Sequence, residues 1–330
     1  MNDLRPRRSH GRLRRHGTGA LAVLALLLTG CSAATDRPAP TAPATATATA
    51  TAAVAGLFDV GAGRRIYLEC HGTGTTTVVL IGGLRAATDY WNRTDTKPIT
   101  VMRGVSGAAR VCAYDRPGTV REGNAFSRSD PIAQPSSELS AVADLHALLT
   151  VAGVAGPYVL VGHSYGGCIA RLYASTYPAQ VVGMVLVDAL SEAFAAAMPA
   201  AQYAQLQVSQ QVPAEDLAAY PAIERLDMDA VNAELRAAPP IHAMPLTVLS
   251  ADQLVAPQWQ SMIDSGQLPA GTPADLGAAV DRAQKASQDF QAGLVPGAVH
   301  ITQTHSGHDI PLDNPAIVIT AIRDVLSRAR

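Results

Sequence analysis

Nowhere in the 330 residues do cysteine and histidine fall at the spacing of a zinc site, and no segment repeats another. The first absence argues against a metal centre, the second against a repeat architecture. Charge is sparse at 16% of residues against 48% hydrophobic, a balance that excludes a disordered chain or a coiled coil. The apolar run from Ala20 to Leu28 reaches only about half the ~20 residues that a membrane span requires. No composition or motif calls for a cofactor.

What is present first is a leader. Six of the 25 basic residues, Arg5, Arg7, Arg8, Arg12, Arg14 and Arg15, precede that apolar run, the order of an export signal. Leu28-Thr29-Gly30-Cys31 follows and resembles the lipobox of bacterial lipoproteins, in which the cysteine is acylated and becomes the first mature residue. That resemblance implies lipidation at Cys31, a signal peptide over 1–30, and a membrane partner reached through an N-terminal lipid on the outer face of a bacterial cytoplasmic membrane. The alternative is an ordinary secretory signal cleaved near Ser32-Ala33-Ala34. Without the leader, 19 basic residues face 26 acidic ones, and a net-acidic domain repels phosphate backbones, so no nucleic-acid partner is expected.

Residues 31–53 are dominated by Ala, Thr and Pro and carry too little bulky apolar surface to offset chain ordering; they read as a linker. From residue 54 to 330, strand-like and helix-like stretches alternate. Arg64–Cys70, Thr77–Ile81, Arg110–Tyr114, Tyr158–Gly162, Met184–Asp188, Leu246–Ser250 and Ala298–Gln303 read as short apolar strands suited to a sheet buried on both faces. Ser137–Val151, with Leu139, Val142, Leu145, Leu148 and Leu149 as its stripe, Tyr165–Tyr177 and Ala316–Ser327 read as helices. Strands alternating with helices imply an α/β fold built on a mainly parallel sheet. Residues 191–242 break the alternation with helical spacing and no strand, the mark of a helical insertion, and a shorter stretch from Pro257 to Phe290 does the same.

Within Val159-Leu160-Val161-Gly162-His163-Ser164-Tyr165-Gly166-Gly167 an apolar strand meets Gly-x-Ser-x-Gly and runs straight into a helix. In such a turn the serine is forced into the open at a helix N-terminus, where free amides and the helix dipole favour developing negative charge. With these residues the chain from about Val54 onward resembles the α/β-hydrolase superfamily, its serine esterase-like branch with Gly-His-Ser-Tyr-Gly-Gly elbows. Tyr114-Asp115-Arg116-Pro117-Gly118 is similar to that family's turn after the fourth strand, and Val185-Leu186-Val187-Asp188 to its sixth strand.

The resemblance implies an eight-stranded, mainly parallel sheet flanked by helices with a helical cap, and a carboxylesterase-like serine hydrolase acting on a small acyl or ester substrate. Ser164 would be the nucleophile. His308, in Ser306-Gly307-His308-Asp309 before the last helix, would be the base, with His305 as runner-up and His300 inside the last strand. The acid falls on Asp252 after the seventh strand, where the family most often carries it; Asp188, at the end of the sixth, is the alternative, read in the first place as a structural turn aspartate. The oxyanion hole falls on the backbone amides of Tyr165 and Leu84. The family's neighbouring second and fourth strands would bring Cys70 to Cys112 as a disulfide, leaving Cys168 as a buried core residue. An acyltransferase or perhydrolase on the same triad, or a non-catalytic envelope-binding lipoprotein, are the competing readings.

Overall fold

The computed structural model describes residues 53–94, 97–269 and 271–329. Cys31, the leader and nearly all of the linker lie outside the described residues. Eight strands form one sheet: β1 (Val54–Gly61), β2 (Arg64–His71), β3 (Thr77–Ile81), β4 (Arg110–Asp115), β5 (Tyr158–His163), β6 (Val181–Val187), β7 (Leu246–Leu249) and β8 (Val299–Ile301). Their spatial order is β1-β2-β4-β3-β5-β6-β7-β8. The β1/β2 and β2/β4 pairs are antiparallel and every later pair is parallel.

The helices are α1 (Val101–Ser106), α2 (Glu138–Val151), α3 (Tyr165–Thr176), α4 (Glu192–Ala196), α5 (Ala200–Ser209), α6 (Ala214–Ala219), α7 (Met228–Ala237), α8 (Ala256–Asp264), α9 (Leu276–Ala292), α10 (Ile310–Asp313) and α11 (Pro315–Arg328). Because side chains alternate across a strand, each central strand feeds two cores. Val79, Ile81, Leu160, Met184 and Leu186 point to the face covered by Leu145 and Leu148 of α2 and Ile169 and Leu172 of α3. Val78, Leu80, Val159, Val161, Val185 and Val187 point to the face covered by Met102 and Val105 of α1 and Ile319, Ile322 and Val325 of α11.

Three elements depart from the sequence reading. The edge strand β1 completes the expected eight, but no residues were assigned to it from VAGLFDVG, which alternates only between half-buried and exposed. Helix α1 was not expected. On α2, Leu139 is 50% exposed rather than part of the stripe, whereas Glu138 is buried at 1%, because the hydroxyl of Tyr165 donates to Glu138 Oε1 at 2.9 Å.

Cys70 and Cys112 stand directly opposite each other in the antiparallel β2/β4 ladder and are joined as a disulfide. Cys168 is buried, and that burial pushes its thiol up to about 12. Helices α4 to α7 occupy the β6–β7 connection and α8 and α9 the β7–β8 connection. The two excursions share a third apolar core: Phe194, Met198 and Leu206 from the first pack with Trp259, Leu276, Ala279 and Ala283 from the second.

Candidate active site

All the candidate groups sit where the parallel strands end, the edge at which α/β sheets present their loops to ligands. Ser164 follows β5 with φ 52° and ψ −125°, a left-handed conformation for a residue that has a side chain. Its strain is held from both sides: its amide donates to Val187 of β6 at 3.1 Å, and its carbonyl accepts from the amides of Gly167 and Leu190 at 3.0 and 3.1 Å.

The turn closes only because two neighbours lack a Cβ. At Gly162 one would lie 2.6 Å from the Gly166 carbonyl oxygen, and at Gly166 one would lie 2.2 Å from the carbonyl oxygen of Ile81. Helix α3 then starts at Tyr165 immediately after the serine, so its first amides open toward the serine side chain.

His308 lies in the loop between β8 and α10, its side chain 51% exposed. The structure joins it to Asp188, not to the expected Asp252: Nδ1 of His308 is 2.7 Å from Asp188 Oδ2. The Asp252 carboxylate instead accepts from the amides of His305 and Ser306 at 3.1 and 2.9 Å. Asp252 braces the loop from which His308 projects and makes no hydrogen bond to its ring. Asp188, just past β6, is placed by its amide's bond to the Leu249 carbonyl of β7 at 2.7 Å, and its Oδ1 accepts from the Ala251 amide at 3.1 Å.

The electrostatics of the pair follow from this contact. Burial works against a charged Asp188, but the hydrogen bond and charge of His308, with the Ala251 amide, outweigh it and hold the carboxyl below its ordinary range. Partial shielding from water works against imidazolium at the half-exposed His308, yet the hydrogen bond and charge of Asp188 prevail and raise its pKa above the ordinary 6.5.

Two partners were not read from the sequence. His163, next to the serine, has its Nε2 3.0 Å from the backbone carbonyl oxygen of His308, and its ring stacks on Tyr90 with centroids 5.1 Å apart. Burial, reinforced by the like charge of His308, lowers its pKa to about 4, so it stays neutral with Nε2–H as the donor. Tyr90 also donates to Asp309 Oδ1 at 3.0 Å, tying the loop of His308 to the turn after β3. The second partner is Arg116, whose guanidinium donates to the carbonyls of Gly82 and Gly83 at 2.8 and 2.6 Å. Only side-chain reach, which sequence does not display, could have identified either.

The loop Gly82-Gly83-Leu84-Arg85 leans directly over the elbow: a Cβ on Gly83 would stand 3.1 Å from Cβ of Ser164. This brings the loop that carries Leu84 against the elbow from which α3 starts at Tyr165. His305 is turned away, 81% exposed and 3.7 Å from Asp252. His300, on β8 as expected, lies 2.7 Å from the Ser250 hydroxyl.

Comparison with known proteins bears on the family and the fold. A family model described as the alpha/beta hydrolase family matches residues 70–321. An uncharacterized protein of Schizosaccharomyces pombe is 34% identical over 146 residues, covering 38% of this chain and 26% of its own length. An AB hydrolase superfamily protein of Gibberella zeae is 28% identical over 142 residues, covering 41% of this chain and 40% of its own. The chain thus spans well under half the length of these curated relatives. Among solved structures, a thermophilic esterase from Thermogutta terrifontis superposes with a TM-score of 0.53 at 19% identity, over 84% of this chain and 99% of that one. Alpha/beta hydrolase domain-containing protein 10 from mouse does so with a TM-score of 0.51 at 14% identity, over 84% and 100%. At such identities these likenesses speak to the fold.

Proposed function

This chain belongs to the alpha/beta hydrolase family, matching its model over residues 70–321, and from that premise we propose that it is a serine hydrolase that cleaves an ester or related acyl bond through an acyl-serine intermediate. The observation that carries the reading is the 2.7 Å contact between His308 Nδ1 and Asp188 Oδ2, beside a serine held at φ 52°. The acid of the triad is accordingly Asp188, in place of Asp252.

In the proposed cycle Ser164 Oγ attacks the acyl carbon and gives its proton to Nε2 of His308, while Asp188 holds the ring's Nδ1–H and stabilises the imidazolium. The carbonyl oxygen, now negatively charged, turns toward the amides of Tyr165 and Leu84. The carbon–oxygen bond to the leaving alcohol then breaks, and His308 returns the proton to it. Water, deprotonated by the same histidine, attacks the acyl-serine; collapse releases the acid and restores Ser164. The neutral His163 suits this cycle, because a second cation beside His308 would oppose the imidazolium.

Export and a lipid anchor at Cys31 complete the proposal, supported by the basic, apolar and Leu-Thr-Gly-Cys order of the leader. The test of the catalytic reading is a fluorophosphonate probe applied to the protein and to its Ser164→Ala and His308→Ala variants. Labelling of the wild type that disappears in both supports an activated serine; an unlabelled, folded wild type refutes it.

A further inference from the structure

The buried ion pair between Arg116 and Glu224 has a second set of contacts that stability alone does not require. Both side chains are almost fully enclosed, at 3% and 5% exposure. Arg116 Nε donates to Glu224 Oε1 at 2.6 Å and Nη2 to Oε2 at 3.0 Å, a two-pronged contact. The rest of the fork reaches the loop over the serine: Nη1 donates to the Gly82 carbonyl at 2.8 Å and Nη2 to the Gly83 carbonyl at 2.6 Å. Glu224 reaches the same loop from the other side, its Oε2 accepting from the Arg85 amide at 2.5 Å. An ion pair of this kind adds little stability over an apolar pair of equal volume. What it adds here is direction.

The Gly83 carbonyl and the Leu84 N–H are two ends of one planar trans peptide and point opposite ways. Holding the oxygen between Arg116 and the Ala86 amide, which donates to it at 3.0 Å, therefore fixes where the Leu84 N–H is aimed. Arg116 belongs to the turn after β4, but Glu224 belongs to the cap, between α6 and α7. The cap segment is seated closely on that turn: the Glu224 amide donates to the Gly118 carbonyl at 2.9 Å, Arg85 Nε donates to the Glu224 carbonyl at 3.1 Å, and a Cβ at Gly118 would lie 2.4 Å from the Ala222 oxygen.

We propose that Arg116 and Glu224 are positioning residues that couple seating of the cap to the oxyanion hole, so that the Leu84 amide is aimed at the reacting carbonyl only while the 220–224 segment is docked. Neither side chain touches the substrate. With the cap segment lifted, Arg116 loses its carboxylate and the Arg85 amide its acceptor, so the peptide between Gly83 and Leu84 is held only by the Ala86 amide and an Arg116 that is no longer oriented. The inference rests on the acyl-serine reading above.

The test uses the whole protein with Glu224→Gln, Glu224→Asp, Arg116→Lys and the Arg116→Lys/Glu224→Gln double variant, turnover of a p-nitrophenyl ester, and affinity for a trifluoromethyl ketone, whose adduct with serine carries the oxyanion. Misaiming one donor should lower kcat roughly 100-fold with KM changed by less than about threefold, and should weaken the ketone by the same factor as kcat/KM. The double variant should be no worse than the more affected single, since both act through one peptide. Unchanged kcat and ketone affinity in folded variants, or a rise in KM that merely tracks a lower melting temperature, overturns the inference. If Arg116→Lys does not fold, the two Glu224 variants decide alone. A wild type labelled by fluorophosphonate while the variants keep full ketone affinity sinks this inference only; a wild type that is not labelled sinks the acyl-serine reading and this one with it.

Discussion

The carboxylate of Asp188 stands 2.7 Å from Nδ1 of His308 although 120 positions separate the two in the chain. Two loops at the ends of β6 and β8 meet there, and the aspartate is in place to fix the tautomer that carries its proton on Nδ1 and leaves Nε2 as the acceptor. Replacing Asp188 by Asn should leave the fold intact and cost about 10,000-fold in kcat/KM, the scale seen when a triad base is held in the wrong tautomer. Asp252→Asn should loosen the His305–Ser306 backbone and cost far less. Ester turnover of both variants checks the assignment, and a greater loss at Asp252 would reverse it.

In the proposed cycle His308 must be neutral to accept the serine proton. Since Asp188 overcomes the effect of burial and raises its pKa, kcat/KM should climb with pH along an acid limb centred above 6.5. Removing the Asp188 charge should move that limb down. For stability the signs differ between partners. The raised histidine contributes fully below the pKa of free imidazole, and its contribution fades as pH climbs through the folded value; the depressed aspartate contributes above its ordinary 3.8 and fades as pH falls through its folded value. The pair should therefore stabilise most between those limits, which urea midpoints across pH will show. A limb at or below 6.5 in the wild type would contradict the assignment.

At the elbow, Gly166→Ala drives a methyl to 2.2 Å from the Ile81 oxygen and 2.6 Å from the Gly82 oxygen. Both are backbone atoms, so they give way only by moving the strand end that leads into the oxyanion loop. Stability should fall by about 1–3 kcal/mol, while activity falls by more than that loss explains at temperatures where the variant remains folded. Denaturation and turnover measured together separate the two effects.

The disulfide closes a loop with a sequence separation of 42. On the chain-entropy model such a loop restrains the unfolded chain by about 4 kcal/mol as an upper figure, with typical values of about 2–4. A Cys70→Ala/Cys112→Ala variant should unfold at a correspondingly lower urea concentration without loss of the elbow chemistry. An unchanged midpoint would mean the bond is dispensable to the fold.

For the leader, Cys31→Ser expressed in a bacterial host should move the protein from the membrane fraction to the soluble one. Retention on the membrane would reject lipid anchoring at this position.

How far the sequence reached can be judged residue by residue. Apolar runs marked β3 to β7 because strands buried on both faces leave no alternation to obscure them. Edge strand β1, by contrast, half-buries alternate residues and includes Gly56 and Asp59, so its pattern is weak. Helix α1 was hidden by Gly104, yet a Cβ there would lie 2.3 Å from Cδ1 of Ile319, so the residue that weakens the helical signal is the one that lets α11 pack against it. The strained serine of the elbow and the histidine of the last loop stand in local motifs. The aspartate that meets His308 does not, since Asp188 and Asp252 both follow neighbouring strand ends. What separates them is the path of residues 304–308, fixed by amides that Asp252 itself captures. Arg116 was noticed only as part of a turn, because its reach to Gly82, Gly83 and Glu224 is a matter of packing.

The third apolar core has a practical consequence for anyone who would re-engineer substrate preference. Its residues are drawn from both the β6–β7 and β7–β8 excursions, so neither excursion is a transplantable module. A chimera that imports residues 192–237 from a relative while keeping 256–292 would strand Trp259 and Leu276 against foreign partners in place of Phe194, Met198 and Leu206. The unit of exchange in this protein is the pair of excursions, and shuffling libraries should place their crossover points in β6 and β8, leaving β7 to travel with the roof it supports.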